Sequence, residues 1–485
     1  MDATVATVIL AFLFLASAFW YLYQRPGPLN PPGPRGLPLL GNILDMPSNY
    51  PWLTYSKWAA THGDIVYITT LGGPIVIINS AKVATDLFEG RSLNYADRPA
   101  MAMLVDLMKW DWDVGKMPYS DRWRQHRKAL HDYFKPKKVH NYHAVQKEAV
   151  DIFIQQITDT PELYADHTHF YAASVILKVI YGYEMLVEDD PYLKIVRAAG
   201  EGLVAATNVG SFAIDYIPAL KYVPAWFPGA SFRNKAKKWA EAIAVLRDSP
   251  FDRTKERMES GTNMPCFVSE GIEKFYHLPT NSNNQEIIIK DCAAVSYLAG
   301  AETTANGILW WLLAMIRYPS VQARAYRELQ DAIGTTRHPT FDDQPHLPYI
   351  QAMVSETLRW HPIAPLAVPH RVINDDFYDG YHIPAGATVI GNAWAILRDE
   401  RVYPEPLEFK PERFLNAPGS EVPPDPATLG AFGFGRRICP GRHFALETLW
   451  LAMACILARF EIVGGEGERR PKPFKVRFVP RTSTP

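Results

Sequence analysis

Residues 432–441 read FGFGRRICPG. The chain has four cysteines, at 266, 292, 439 and 455, and one of them, Cys439, stands among Gly433, Gly435 and Gly441 and beside Arg436 and Arg437. Glycine loses more conformational freedom on folding than any other residue, so such a cluster points to close backbone approach. The segment that follows, RHFALETLWLAMACILARF (442–460), has the apolar spacing of a helix. Cys439 therefore lies at or just before a helix N-terminus, where free N–H groups and the helix dipole favour an anion. That setting lowers a thiol's pKa. Gly433, Gly435 and Gly441 are expected to let backbone N–H groups close on the sulfur, and the stretch reads as a site for a permanent thiolate.

The rest of the chain bounds what that thiolate serves. Of 485 residues, 50 are Lys or Arg and 51 Asp or Glu, so no net field favours nucleic acid as a partner. Four dispersed cysteines with no C-x-x-C pair make no disulfide scaffold and fit a reducing compartment. Residues 3–23, ATVATVILAFLFLASAFWYLY, carry no charge and are long enough to cross a ~30 Å hydrocarbon core as a helix. Trp20, Tyr21 and Tyr23 end this run, where aromatic rings favour the membrane interface, and Arg25 beyond them puts the body on the cytoplasmic side. A cleaved signal peptide is the competing reading; the run lacks a basic start and continues past Ala18. Residues 1–25 are thus expected to be a transmembrane anchor. Residues 26–42, PGPLNPPGPRGLPLLGN, read as a stiff extended linker, and 43–485 as one domain.

Strand-like patches occur at 65–72, 73–80 and 380–392, with helical patterning between them. The expected fold class is mainly α with a small β-sheet subdomain. One helix is predicted over 284–317, ending before Pro319, with apolar residues on most faces and hence a central, buried position. Its middle reads AGAETT (299–304). Gly300 costs ~1 kcal/mol against Ala in a helix, and Glu302 is expensive to bury. Thr303 lies four residues after Ala299, on the same face. With Gly300, these small residues would admit a flat ligand; a plain helix–helix contact is the alternative.

A thiolate has three main uses. A nucleophile needs a paired base, and His443, the nearest candidate, falls inside the following helix with no third orienting group. Structural zinc needs three more soft ligands, and no Cys or His cluster supplies them. A single axial bond to haem iron needs one sulfur, a flat apolar cavity and cations for two propionates, and the sequence offers all three. A buried structural cysteine would leave the glycines and arginines unexplained.

Taken together, these features resemble the cytochrome P450 family of haem-thiolate monooxygenases, whose iron is known to be held by a cysteine thiolate. The resemblance runs along the whole chain. The signature F-x-x-G-x-R-x-C-x-G is matched by Phe432, Gly435, Arg437, Cys439 and Gly441. AGAETT matches the family's oxygen-activating helix, with Glu302 and Thr303 as its acid–alcohol pair. ETLR (356–359) matches the E-x-x-R helix, PERF (411–414) the segment that completes its ion network, and WRQHR (123–127) the W-x-x-x-R helix. The resemblance implies haem b, iron protoporphyrin IX, as cofactor, with Cys439 as its axial iron ligand. It implies Trp123, Arg127, Arg371 and Arg437 near the propionates, and Ala299, Gly300, Phe432, Gly435 and Gly441 around the cofactor. Glu356, Arg359 and Arg413 are read as a structural charge triad.

The implied reaction inserts one atom of O2 into a lipophilic organic substrate. No flavin or dinucleotide signature is present, so electrons would come from NADPH through an NADPH–cytochrome reductase at the endoplasmic reticulum membrane. Arg122, Arg124, Arg127, Lys128, Lys135, Lys137, Lys138 and Arg442 form a basic cluster suited to such a partner. Residues 219–230, ALKYVPAWFPGA, resemble the family's membrane-dipping segment, in contact with lipid. Residues 100–118 and 363–368 fall where the family lines its pocket. The chain is most similar to fungal members of the O-methylsterigmatocystin oxidoreductase-like group, which implies secondary metabolism or xenobiotic oxidation. Three rivals stand beside this reading: a reductase-independent haem-thiolate isomerase or dehydratase, a non-catalytic haem sensor, and a haem-free cysteine hydrolase.

Overall fold

The computed structural model describes residues 29–481 except 48, 188, 208–211, 277–281, 335–336, 416–420 and 465–473. The expected anchor, 1–25, lies outside the described residues. Among the described residues no helix is long and apolar enough to cross a membrane.

The longer elements run in the order α1 (Pro51–His62), β1 (Ile65–Thr70), β2 (Gly73–Ile78), α2 (Asp121–Phe134), α3 (His143–Asp159), α4 (Tyr164–Tyr181), α5 (Pro191–Thr207) and α6 (Ser231–Glu259). Then come α7 (Phe267–Tyr276), α8 (Ser282–Arg317), α9 (Pro319–Ile333), α10 (Pro348–Trp360), β3 (His370–Arg371), β4 (Asp376–Tyr378), β5 (Tyr381–Ile383) and β6 (Thr388–Gly391). The chain closes with α11 (Arg442–Arg459), β7 (Phe460–Gly464) and β8 (Val476–Pro480). The fold is mainly helical with small sheets, as the patterning predicts.

One sheet has four strands in the order β1-β2-β6-β3. β1 and β2 form an antiparallel hairpin, β2 pairs in parallel with β6, and β3 is antiparallel to β6. The strands are shorter than the apolar runs that encode them. Leu71 and Gly72 are spent on the hairpin turn, and the turn at Gly386, with φ +81°, splits 380–392 into β5 and β6. β4–β5 and β7–β8 are separate two-stranded hairpins.

The described part of the expected spacer is docked rather than free. The Tyr67 N–H donates to the Pro32 carbonyl and the Asn42 N–H to that of Thr69, both from β1. A Cβ at Gly33 would sit 1.9 Å from the Tyr67 carbonyl oxygen, so glycine there permits the contact. Prolines keep this strap extended, and its bonds fix it to the edge of the sheet.

α8 is the spine of the molecule. Asp291, Cys292, Ala293 and Ala294 are consecutive and all buried, so a full turn of the helix is covered. It ends where Pro319 begins α9, one residue past Tyr318. Small residues set how close its neighbours come. A Cβ on Gly300 would fall 2.8 Å from Ile176 of α4, and one on Gly307 would fall 3.0 Å from Leu449 of α11. The apolar core spreads from this crossing and includes the fully buried Trp110, Trp311 and Trp450.

Candidate active site

The cysteine loop is fixed from both sides. Phe434 is buried, stacks on Phe88 at 4.7 Å, and fills space left free by Gly391 and Gly430. Gly435 has φ +53°, and a Cβ there would lie 2.1 Å from the Phe88 carbonyl oxygen. Its N–H donates to Glu89 Oε1 at 2.7 Å. Gly435–Arg437 form one 3-10 turn. The Cys439 N–H then donates to the Phe432 carbonyl at 2.8 Å, which closes the loop just before Gly441 caps α11. Of the three glycines expected to close on the sulfur, only Gly441 does so, through its N–H. Gly435 serves the approach to Phe88, and Gly433, at φ +80°, serves a turn in open space.

Burial pushes the Cys439 thiol up, while the Gly441 N–H, Arg127 and Arg442 pull it down. Desolvation wins, which corrects the expectation of a lowered thiol.

Around the loop lies a surplus of positive charge. Arg437 donates to the carbonyls of Ala96 at 2.6 Å, Val114 at 3.2 Å and Met117 at 2.7 Å, and its guanidinium lies 4.4 Å from the Trp123 ring centre. Arg98 donates to Gly115, Val368 and Pro369 carbonyls. Burial and repulsion by Arg437 push Arg98 down; burial, with repulsion by Arg127, pushes Arg437 down to about 10. Arg127 is depressed by burial and by Arg442, and Lys116 by burial and by Arg98. The anions within reach are Asp97 and Asp113. Buried cations that repel one another need an anionic partner. Two carboxylates on a flat cofactor are the chemistry this set lacks.

Trp123 and Arg127 reach this region because Ser120 caps α2, accepting the Trp123 N–H at 3.2 Å, and because i and i+4 share a helix face. Arg371, at the sheet edge, is half exposed and lies 3.6 Å from Asp97. It is further committed to solvent than Arg98, which the sequence reading missed.

The second wall is α8. In the middle of this helix, where most neighbouring residues are buried, Ala299 and Thr303 are exposed, one turn apart on the same face. The Thr303 hydroxyl donates to the Ala299 carbonyl at 2.7 Å. One turn further, Gly307 approaches Leu449 of α11 and Ile363 of the 363–368 segment. The open face therefore ends where α8, α11 and the expected pocket-lining loop converge. Gly300 belongs to the other side: its missing side chain admits Ile176, so it serves helix packing and does not line the open face. Glu302 is part-exposed, and His169 of α4 stands 3.8 Å from its carboxylate.

The charge triad is assembled. Arg359 grips Glu356 through Nε at 2.6 Å and Nη2 at 2.8 Å, and Arg413 Nε adds a contact at 3.2 Å. A second buried network was not foreseen. Asp291 of α8 accepts from His126 of α2 at 3.1 Å and from Arg247 of α6 at 2.9 Å, tying three helices together.

The expected basic cluster divides. Arg127 is half-buried and faces Cys439, Arg122 pairs with Asp111 and Asp291, and Arg124 pairs with Asp121. Lys128, Lys137 and Lys138 remain exposed. Tyr222, Trp226 and Phe227 of the 219–230 segment are exposed.

Residues 31–483 match the family described as Cytochrome P450. The chain is 39% identical to a cytochrome P450 monooxygenase of Armillaria gallica, covering 96% of this chain and 92% of that one. It is 38% identical to tryptamine 4-monooxygenase of Psilocybe cyanescens, over 98% of each. It is 37% identical to cytochrome P450 monooxygenase 208 of Postia placenta, over 100% of this chain and 96% of the relative. These relatives are fungal.

Proposed function

The chain belongs to the cytochrome P450 family, and on that premise we propose that it oxidises a lipophilic metabolite at the endoplasmic reticulum membrane with electrons from an NADPH–cytochrome reductase. It is a P450 monooxygenase by kinship, and the family's cofactor is haem b. The residues fit that group. Cys439 would ligate the iron, with Arg98, Arg127 and Arg437 holding the propionates. When bound, the cofactor supplies the reductive activation of O2 that puts one atom into substrate and the other into water.

The chain's own side chains do the rest. Ala299 and Thr303 leave a small, apolar, open face on α8 against which a flat group and a substrate can lie. The Thr303 hydroxyl, bonded back to Ala299, is held at that face as a donor and acceptor. Glu302 stands next to it in the chain and can pass a proton, a general-acid role. The observation that carries the reading is the excess of buried guanidinium charge, only partly offset by Asp97 and Asp113, beside a half-buried cysteine.

Membrane attachment is supported by the charge-free run 3–23 and by the exposed Leu39, Leu44, Tyr222 and Trp226. Docking of an acidic reductase is supported by Lys128, Lys137 and Lys138. The kinship with a tryptamine oxygenase makes tryptamine a reasonable first probe beside lipophilic compounds. The test is incubation of the purified holoenzyme with reductase, NADPH, labelled O2 and probes that shift its spin state. One labelled oxygen in the product is expected. Conversion without NADPH would instead establish the isomerase reading.

A further inference from the structure

Glu302 has a neighbour that stands behind it. His169, on α4, places Nδ1 3.8 Å from Glu302 Oε2. That nitrogen is enclosed and has no hydrogen-bond partner. Unpartnered buried polar atoms are rare in native structures and call for a reason. The approach is built into the helix crossing. Gly300 lets α8 come close to Ile176, and Ile176 lies two turns along α4 from His169, on the same face.

The pair is also connected to water. The side chains of His169 and Glu302 are 21% and 32% exposed. One turn before His169, Asp166 is paired at 2.7 Å with Arg197 of α5, and both are largely exposed. Four influences act on the ring. Burial opposes its charged form most, Glu302 and Asp166 favour that form, and Arg197 opposes it, so the ring titrates below an ordinary histidine. A ring that holds its proton less tightly than an ordinary histidine is a stronger acid, which lowers the cost of passing that proton to a carboxylate.

We propose that His169 resupplies Glu302 with protons from solvent during turnover. The Nδ1–H bond of the imidazolium breaks as the proton passes to Glu302 Oε2, after a small side-chain rotation closes the gap. The ring then regains a proton from water. The demand is fixed by the reaction: O2, a substrate C–H bond, NADPH and one proton give C–OH, water and NADP+, so two electrons and two protons must reach the site. His169 acts through Glu302 and is a positioning residue for its proton, not a catalytic residue. The inference rests on the reading of Glu302 as proton donor given above.

The test uses the holoenzyme with reductase, NADPH and O2 and no added organic substrate, so the readout is independent of substrate identity. The measured quantity is the fraction of consumed O2 that leaves as hydrogen peroxide rather than water. His169→Phe and Glu302→Gln should each raise it, reflecting proton delivery slowed about ten-fold, less than the ~10²–10⁴ of a fully positioned general acid because water substitutes in part. The double variant should go no further than either single one. His169→Gln keeps a polar side chain but cannot pass a proton, and should behave as His169→Phe does. In the parent enzyme the peroxide fraction should fall as pH falls and the ring gains protons; in both His169 variants that dependence should vanish. On the resting holoenzyme, histidine C2–H exchange read by mass spectrometry should place the titration of His169 lower in Glu302→Gln, where the favouring carboxylate is gone.

Normal peroxide release in both His169 variants, with a raised fraction in Glu302→Gln, overturns the relay and leaves the role of Glu302 standing. Additive effects, or a His169→Gln enzyme that works normally, also overturn it. A Glu302→Gln enzyme with unchanged peroxide release removes the role of Glu302 itself.

Discussion

Replacing Glu356 with Gln is the sharpest test of what holds the cysteine-side core together. The Glu356 carboxylate accepts from Arg359 Nε and Nη2 at 2.6 and 2.8 Å, from the Lys410 N–H at 2.7 Å and from Arg413 Nε at 3.2 Å. Glu356 and Arg359 are fully buried, and Arg413 is 9% exposed. The remaining donors of Arg359 are committed to the carbonyls of Leu397, Pro406 and Glu408. Gln keeps the size of the side chain but removes its charge and presents an NH2 where an oxygen accepted. Either amide orientation sets donor against donor, and two buried guanidiniums lose their anion. Removing one partner of a buried pair costs ~3–5 kcal/mol. Against a total stability of ~5–15 kcal/mol, that is a large fraction. Urea unfolding followed by tryptophan fluorescence should show a much earlier midpoint, with less haem retained per mole of protein. Lys194→Gln is the control, since the Lys194–Asp189 pair is 66% and 80% exposed and its loss should scarcely register. A Glu356→Gln midpoint no earlier than that of the control would refute the structural role of the triad.

Gly435→Ala adds a Cβ 2.1 Å from a backbone oxygen at φ +53°, which combines ~1–2 kcal/mol of left-handed strain with an overpacking cost of ~1–3 kcal/mol. It should speed haem loss to apomyoglobin more than Gly433→Ala, which shares the left-handed strain but whose Cβ meets nothing nearer than the Arg437 carbonyl oxygen at 4.0 Å; equal rates would contradict the account of the loop. Asp215 accepts the Met103 N–H at 2.9 Å, and burial pushes its carboxyl up to about 6. The folded state therefore holds a proton that the unfolded chain has released between pH ~4 and ~6, so stability should fall as pH rises through that window. Asp215→Asn keeps an acceptor for Met103 and should remove ~2 kcal/mol of that pH dependence, measured by urea unfolding at pH 4.5 and 7; parallel curves for the two proteins would contradict it.

What lies within one segment was legible in the sequence. The long central helix and the E-x-x-R ion pair are of that kind, since spacing alone states who can meet whom. What depended on remote partners was not legible. FGFGRRICPG declares that glycine matters, but not that Gly435 faces the carbonyl of Phe88 while Gly433 faces open space. AGAETT offers two faces, and only the packing of α4 assigns Gly300 to one and Ala299 with Thr303 to the other. Arg98 stands before a proline in an unremarkable loop, and its burial comes from the Val368–Pro369 strap crossing it. The same holds for His126 and His169, whose carboxylate partners sit on α8. The thiol expectation failed for a physical reason as well. A helix terminus is a local feature visible in sequence, whereas desolvation comes from the whole enclosure, and at Cys439 the enclosure outweighs the terminus.

The central claim is that the Cys439 sulfur ligates haem iron, and the most direct measurement is the reduced carbon monoxide difference spectrum of the purified protein beside that of Cys439→Ser. The account predicts the red-shifted Soret band of thiolate ligation in the parent protein and its loss in the variant. That band persisting in Cys439→Ser, or a parent protein that binds no haem at all, would contradict it.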